Sequence, residues 1–362
     1  MIARTAHSST ITSFVVASRY LPVYIAVALL VLVASIWAPA TLSGPALSAI
    51  APFGTFLAIT ALGQMLVIMT GGIDLSVPGT LTLAAVVTVG IGQSSDERLW
   101  TAIGIALVLA AAVGLVNGIL IGGLGLNALI VTLAVGQIVS GIASRYYTSV
   151  AIQTPVPEGL SAWTSTRFLG VTRIFWVGAV IAVALVIVFR FTTAGRRFQV
   201  VGANPTASWI AGLRVNLHQV SAYVAAALLY AMAGILLASF LRTLSITIGA
   251  PYLLGPIAAV VIGGASLTGG LASPVSTWTA AFFLAGLNQM MRVMGLPTAL
   301  QFVVFGLVII GGMLVSGDRI IRGVEHVLRE RRPPDTTRRT VGIASGGPDQ
   351  GKEGTRTHGT DR

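Results

Sequence analysis

Apolar runs of about 20 residues recur along most of this chain, and that is the length of helix that crosses the hydrocarbon core of a bilayer. They lie at about 21–37, 47–69, 76–92, 100–121, 127–144, 174–190, 218–241, 253–271, 272–291 and 297–316. Inside lipid no water is at hand to pair backbone N–H and C=O groups, so each run must satisfy them within itself, as a helix does. Only 9% of the residues are charged against 55% hydrophobic, too little polar surface for a water-soluble globule. The pattern predicts an all-α, polytopic integral membrane protein of about ten transmembrane helices.

The runs make one transmembrane domain over residues 20–317, flanked by polar segments at 1–19 and 318–362. The run Leu21–Trp37 exceeds the roughly 7–15 apolar residues of a signal-peptide core and reads as a retained span. An even number of spans puts both termini on one side. The connection at 190–217 holds Arg190, Arg196, Arg197 and Arg214, and the chain after Gly317 is rich in Arg. The positive-inside rule then makes both termini cytoplasmic, N-in/C-in. The same bias accounts for the net charge of +11, and no basic nucleic-acid-binding motif accompanies it. From Arg319 the pattern predicts a short interfacial helix, and beyond 333 a largely disordered tail with almost nothing apolar to bury. Gly263–Gly264 and Gly269–Gly270 interrupt the pair of runs at 253–291, so one of the two is a candidate for a broken or re-entrant span.

Between the second and third runs the chain reads GQMLVIMTGGIDLSVPG, Gly63 to Gly79. Gly71 and Gly72 can stop a helix, because glycine takes left-handed backbone angles without penalty. Asp74 and Ser76 can accept from free N–H groups at the start of the next helix, and Pro78 suits its first turn. The stretch predicts two helices joined by a tight polar elbow, with Asp74 acting mainly as a cap. GGIDLS has an echo in GGASLT at 263–268.

A second informative stretch is GRRFQVVGANPTASWIAG, Gly195 to Gly212. Asn204 is a good N-cap, Pro205 a good first helical residue and Gly212 a good stop. The short helix between them is marginal alone, since isolated helices below about 12 residues are. Trp209 and Ile210 give it an apolar face, for its own membrane surface or for a partner. The connection from Arg145 to Arg173, with Pro155, Pro157 and Trp163, is a docking surface, a lid or simple packing.

Several chemistries are excluded or disfavoured. Gly346–Lys352 matches G-x-x-x-x-G-K, but Glu353 follows where Ser or Thr should hold magnesium, and no apolar strand precedes it. The chain therefore carries no credible ATP site, and no cofactor is expected. None of His7, His218, His326 and His358 lies deep in a span, there are no cysteines, and no metal-ligand spacing occurs. The polar residues inside spans are neutral, among them Gln64, Asn117, Asn127, Thr132, Asn288 and Gln301. Such residues bond between helices or line a polar path. Gln64, Asn127, Thr132 and Asn288, with the elbow residues Gly71, Gly72, Asp74 and Ser76, are the candidate path.

Four segments in this order resemble the ABC transporter permeases of the ribose, xylose and galactose type. They are GQMLVIMTGGIDLSVPG at 63–79, LNALIVTLAV at 126–135, GRRFQVVGANPTASWIAGLRV at 195–215, and APYLLGPIAAVVIGGASLTGG at 250–270 followed by GLNQMM at 286–291. Ala128 stands where the family usually has Pro, and Pro78 where it usually has Gly. The resemblance implies a multi-pass permease of the plasma or inner membrane that works as a pair, homo- or heterodimeric. It implies a cytoplasmic ABC ATPase and a periplasmic or extracellular sugar-binding protein as partners, with a pentose, hexose or related polyol as cargo. The third segment resembles the loop that meets the ATPase, which makes Gly202, Asn204, Pro205, Ala207, Trp209 and Gly212 coupling candidates. The residues alone leave open a stand-alone secondary transporter or facilitator of a small neutral solute.

Overall fold

The computed structural model describes residues 3–93, 95–151 and 155–316. The expectations for the chain after Ser316 lie outside the described residues. The helices are α1 (Ala3–Trp37), α2 (Gly44–Met69), α3 (Val77–Gly92), α4 (Leu99–Gly118, prolonged as a π-turn to Gly123), α5 (Ala128–Tyr146), α6 (Glu158–Ser165) and α7 (Arg173–Phe191). They continue with α8 (Thr193–Ala203), α9 (Pro205–Ile210), α10 (Val215–Leu241), α11 (Gly255–Ile262), α12 (Pro274–Val293) and α13 (Thr298–Ser316). A two-residue hairpin, β1 (Arg167–Phe168) and β2 (Val171–Thr172), precedes α7.

Helices α2 and α10 form the centre. α2 is buried all round from Gly54 to Met69, as a helix apolar on every side must be. α10 packs on α2, α3 and α4, and α12 and α11 close the other side of α2. The α4–α10 contact is made by a stripe of small residues, Gly114, Gly118 and Gly122, one turn apart. A Cβ on Gly114 would fall 2.7 Å from the Val224 Cα, and one on Gly118 would fall 2.7 Å from the Val220 Cα. Lacking side chains there, the two backbones touch and gain dispersion contacts along about two turns. By contrast α1, α5, α7 and α13 keep apolar faces exposed, for example Leu29, Ile130, Val180 and Leu307.

Among the described residues, six helical segments are long and apolar enough to cross a membrane: Tyr20–Trp37, Gly44–Met69, Asp96–Gly123, Ala128–Val150, Arg173–Phe191 and Val215–Leu241. Val77–Gly92, Ala250–Ile262 and Ala299–Gly312 are shorter apolar helices. Two expectations change. Helix continues back from the first span to Ala3. The run at 253–271 is not a full helix: α11 stops after Ile262, and the chain runs without helix to Pro274. Eight residues of α-helix rise about 12 Å, less than half of a hydrocarbon core of about 30 Å. The interruption foreseen within 253–291 therefore belongs to the first of the two runs.

Candidate functional site

Helix α2 stops at Met69 and helix resumes at Val77. Gly71, at φ +83°, closes α2: its N–H donates to the Ile68 carbonyl at 2.9 Å, and the Gly72 N–H donates to the Val67 carbonyl at 3.2 Å. That pair of bonds is the Schellman turn. Gly72 answers a different need, since a Cβ there would overlap the Tyr223 hydroxyl.

The buried backbone past the turn needs partners, and side chains supply them. Gln64, fully buried on α2, accepts from the Asp74 N–H at 3.1 Å and donates to the Asp74 carbonyl at 3.1 Å; its amide nitrogen also lies 2.9 Å from the Tyr230 hydroxyl. One amide thus makes the two-bond pairing that a neighbouring strand would make. The Thr132 hydroxyl on α5 accepts from the Leu75 N–H at 2.9 Å and donates to the Ala128 carbonyl at 2.8 Å.

Asp74 Oδ1 accepts from the Ser76 N–H at 2.8 Å and from the Ser76 hydroxyl at 2.6 Å, and Ser76 Oγ accepts from Asn117 Nδ2 at 3.0 Å. This differs from the expected cap. Ser76 occupies the N-cap position of α3, but its side chain accepts no N–H of the first turn. The carboxylate serves the N–H just outside the helix, and so shapes the elbow rather than the helix end. Asp74 Oδ2, Asn117 Oδ1 and the Tyr223 hydroxyl have no hydrogen-bond partner among the described residues, on side chains that are 0%, 0% and 1% exposed.

Helix α11 ends in the same turn. Gly264 has φ +83°, its N–H donates to Val261 at 2.9 Å, and the Ala265 N–H donates to Val260 at 3.2 Å. The echo between GGIDLS and GGASLT is therefore a repeated helix stop displaced by one residue, with Gly71 matching Gly264. The two breaks meet, for the Gly270 N–H donates to the Met69 carbonyl at 2.9 Å. The end of α8 presses on this junction. A Cβ on Gly202 would overlap the Met69 carbonyl oxygen and lie 2.9 Å from the Gly270 nitrogen.

Helix α9 follows directly. Asn204 Oδ1 accepts from the Ala207 N–H at 2.9 Å, and Pro205 opens the helix. Gly212, at φ +82°, ends it: the Gly212 N–H donates to Trp209 at 2.9 Å and the Leu213 N–H donates to Ser208 at 3.0 Å. The Ser208 hydroxyl donates to the Val200 carbonyl at 3.1 Å and ties α9 to α8. Trp209 and Ile210 point away, 72% and 75% exposed.

At the opposite end of the bundle a cavity of about 530 Å³ opens between α2, α10, α11, α12, α13 and the connection after α10. Phe53, Tyr252 and Phe305 contribute walls, and Asn288, Arg292 and Gln301 contribute polar groups. Among the described residues no acid lines it. Amides beside aromatic and apolar walls suit a small polar solute.

Gln64, Gly71, Gly72, Asp74, Ser76 and Thr132 thus gather at one elbow, while Asn288 sits in the cavity at the other end. Asn127 joins neither: exposed, it caps α5 by accepting from the Leu129 and Ile130 N–H groups at 3.0 and 3.3 Å. Gly202 meets the elbow, and Asn204, Pro205, Ala207, Trp209 and Gly212 build α9. Sequence reasoning did not place Asn117, Tyr223 or Tyr230 at the site. The signal was there in part, since the two tyrosines lie two turns apart on α10, hydroxyls on an otherwise apolar face.

A family model described as the permease component of the branched-chain amino acid transport system matches residues 46–313. The chain is 33% identical over 265 residues to the ribose import permease RbsC of Escherichia coli, covering 72% of this chain and 82% of that one. It is 31% identical over 271 residues to the galactose/methyl galactoside import permease MglC of Escherichia coli, covering 70% and 80%. It is 30% identical over 260 residues to the L-arabinose ABC transporter permease AraH of Azospirillum brasilense, covering 70% and 76%. No solved structure matches the chain.

Proposed function

The chain belongs to the family of permease components of branched-chain amino acid transport systems, and from that premise we propose that it is the transmembrane permease subunit of an ATP-binding-cassette importer for a small sugar or related polyol. The observation that carries the substrate class is similarity along most of the chain to permeases named for ribose, galactose and arabinose. The cavity chemistry supports it. A free amino acid brings an ammonium as well as a carboxylate, and the lining offers no acid to meet the ammonium.

The chain is a multi-pass inner-membrane protein and not an enzyme; ATP is hydrolysed by a separate subunit. Both termini and α9 face the cytoplasm, the ten apolar runs make about ten passes with α11 broken, and the exposed apolar faces meet lipid or a second permease copy. A cytoplasmic ABC ATPase grips α9 through Trp209 and Ile210, the apolar pair that this chain leaves uncovered. An external sugar-binding protein docks over the cavity and the segment from Arg145 to Arg173.

Transport then follows from the contacts. The solute enters the cavity past Asn288. Closure of the ATPase moves α9, Ser208 carries the movement to α8, and Gly202 transmits it to the two helix breaks. The breaks part, and the elbow around Gln64, Asp74, Ser76 and Thr132 becomes the way through. The test is ATP-dependent sugar uptake by proteoliposomes holding permease, ATPase and binding protein. Uptake should need all three; flux through the chain alone would point to a facilitator instead.

A further inference from the structure

The elbow contains more polar chemistry than its own folding uses. Asp74 Oδ1, Ser76, Gln64 and Thr132 satisfy the backbone of the turn, yet Asp74 Oδ2, Asn117 Oδ1 and the Tyr223 hydroxyl are buried without a partner. Buried polar groups are ordinarily paired, because leaving one unpaired costs stability. All three atoms belong to one spot. Asn117 and Asp74 share Ser76 as their common partner, and the Tyr223 hydroxyl lies against Gly72, two residues before Asp74. The set comprises two acceptors, one hydroxyl that gives or accepts, and an aromatic ring.

We infer that Asp74, Asn117 and Tyr223 form a second solute station inside the elbow, taking the hydroxyl groups of a neutral polyhydroxylated solute once the two helix breaks have parted. Solute hydroxyls donate to Asp74 Oδ2 and Asn117 Oδ1, and the Tyr223 hydroxyl donates to a solute oxygen. The station lies at the α9 end, so it acts after the cavity holding Asn288. The only ionisable acid among the three is Asp74, with no basic residue bonded to it, so anionic solutes are repelled here. The inference rests on the proposed sugar-permease function.

The experiment is uptake of labelled ribose, galactose and arabinose by proteoliposomes of the assembled complex, with wild-type, Tyr223→Phe and Asp74→Asn permeases, beside thermal midpoints of each. Tyr223→Phe removes a hydroxyl that has no bond among the described residues, so a purely structural role predicts unchanged uptake and equal or higher stability. The station predicts an uptake rate about fivefold lower with the midpoint unchanged or raised, the size of one lost neutral hydrogen bond. Asp74→Asn keeps an oxygen for Ser76 but replaces an acceptor by a donor, and should lower the rate by at least as much. Wild-type rates for both variants would overturn the station. Absence of uptake by the wild-type complex with every sugar would overturn the function reading on which it stands.

Discussion

The Gly270 N–H donates to the Met69 carbonyl at 2.9 Å and so joins the end of one interrupted helix to the segment that follows the other. Met69 is the last residue of α2, whose carbonyls have no partner within the helix. The bond therefore completes a helix end while binding two breaks into one unit, and Gly202 is the point where α8 touches both.

Gly202→Ala should damage that unit. The added methyl overlaps the Met69 carbonyl oxygen, backbone that cannot swing aside as a side chain would. Overpacking of this kind costs about 1–3 kcal/mol. The expected outcome is a lowered thermal midpoint in detergent and loss of most ATP-driven uptake, while α9 still binds the ATPase in co-purification. Full uptake by the variant would show that α8 does not carry the movement.

Gln64→Leu should be among the most destabilising single changes in α2. It leaves the Asp74 N–H and carbonyl unpaired in a buried place, each at a cost of about 1–3 kcal/mol. Low yield and early aggregation in a size-exclusion profile are expected. Gln64→Met is the control for volume; it should fail as Leu does, since neither can bond the elbow.

Trp209→Glu should leave the fold intact, because the side chain is 72% exposed. It should abolish co-purification with the ATPase if α9 is the docking helix. Asn204→Ala removes the bond to the Ala207 N–H and weakens the helix by about 1 kcal/mol, so it should reduce association without eliminating it. A pair of variants with wild-type association would move the docking surface elsewhere.

Gly118→Leu should separate α4 from α10. Its side chain would have to occupy the space of the Val220 backbone, whereas Gly104→Leu, on the same helix with open space around it, should be tolerated. Comparing thermal midpoints of the two checks whether small residues set the α4–α10 distance.

Much of this could be read from the chain before its structure was known, and the reasons are local. Gly71, Asn204 and Gly212 act through bonds within a few residues, so their roles were visible as caps and stops. The partners of the elbow were harder to see. Thr132 meets Leu75 across 57 positions and Tyr230 meets Gln64 across 166, and no spacing rule reaches that far. Asn127 looked like a polar residue within a span, yet it stands just before α5 and caps it, its side-chain oxygen accepting from the Leu129 and Ile130 N–H groups. The run at 253–271 was apolar enough for a span, but hydropathy does not register that Gly264 turns the chain left-handed.

The packing of the elbow has an electrical consequence. Gln64, Asp74 and Thr132 are all fully buried and Gly202 of α8 sits against the junction, so among the described residues the polar groups of the elbow are shut away from solvent in the resting molecule. A closed elbow of this kind should pass no ions by itself, so a membrane that holds the subunit without its partners is expected to keep its voltage.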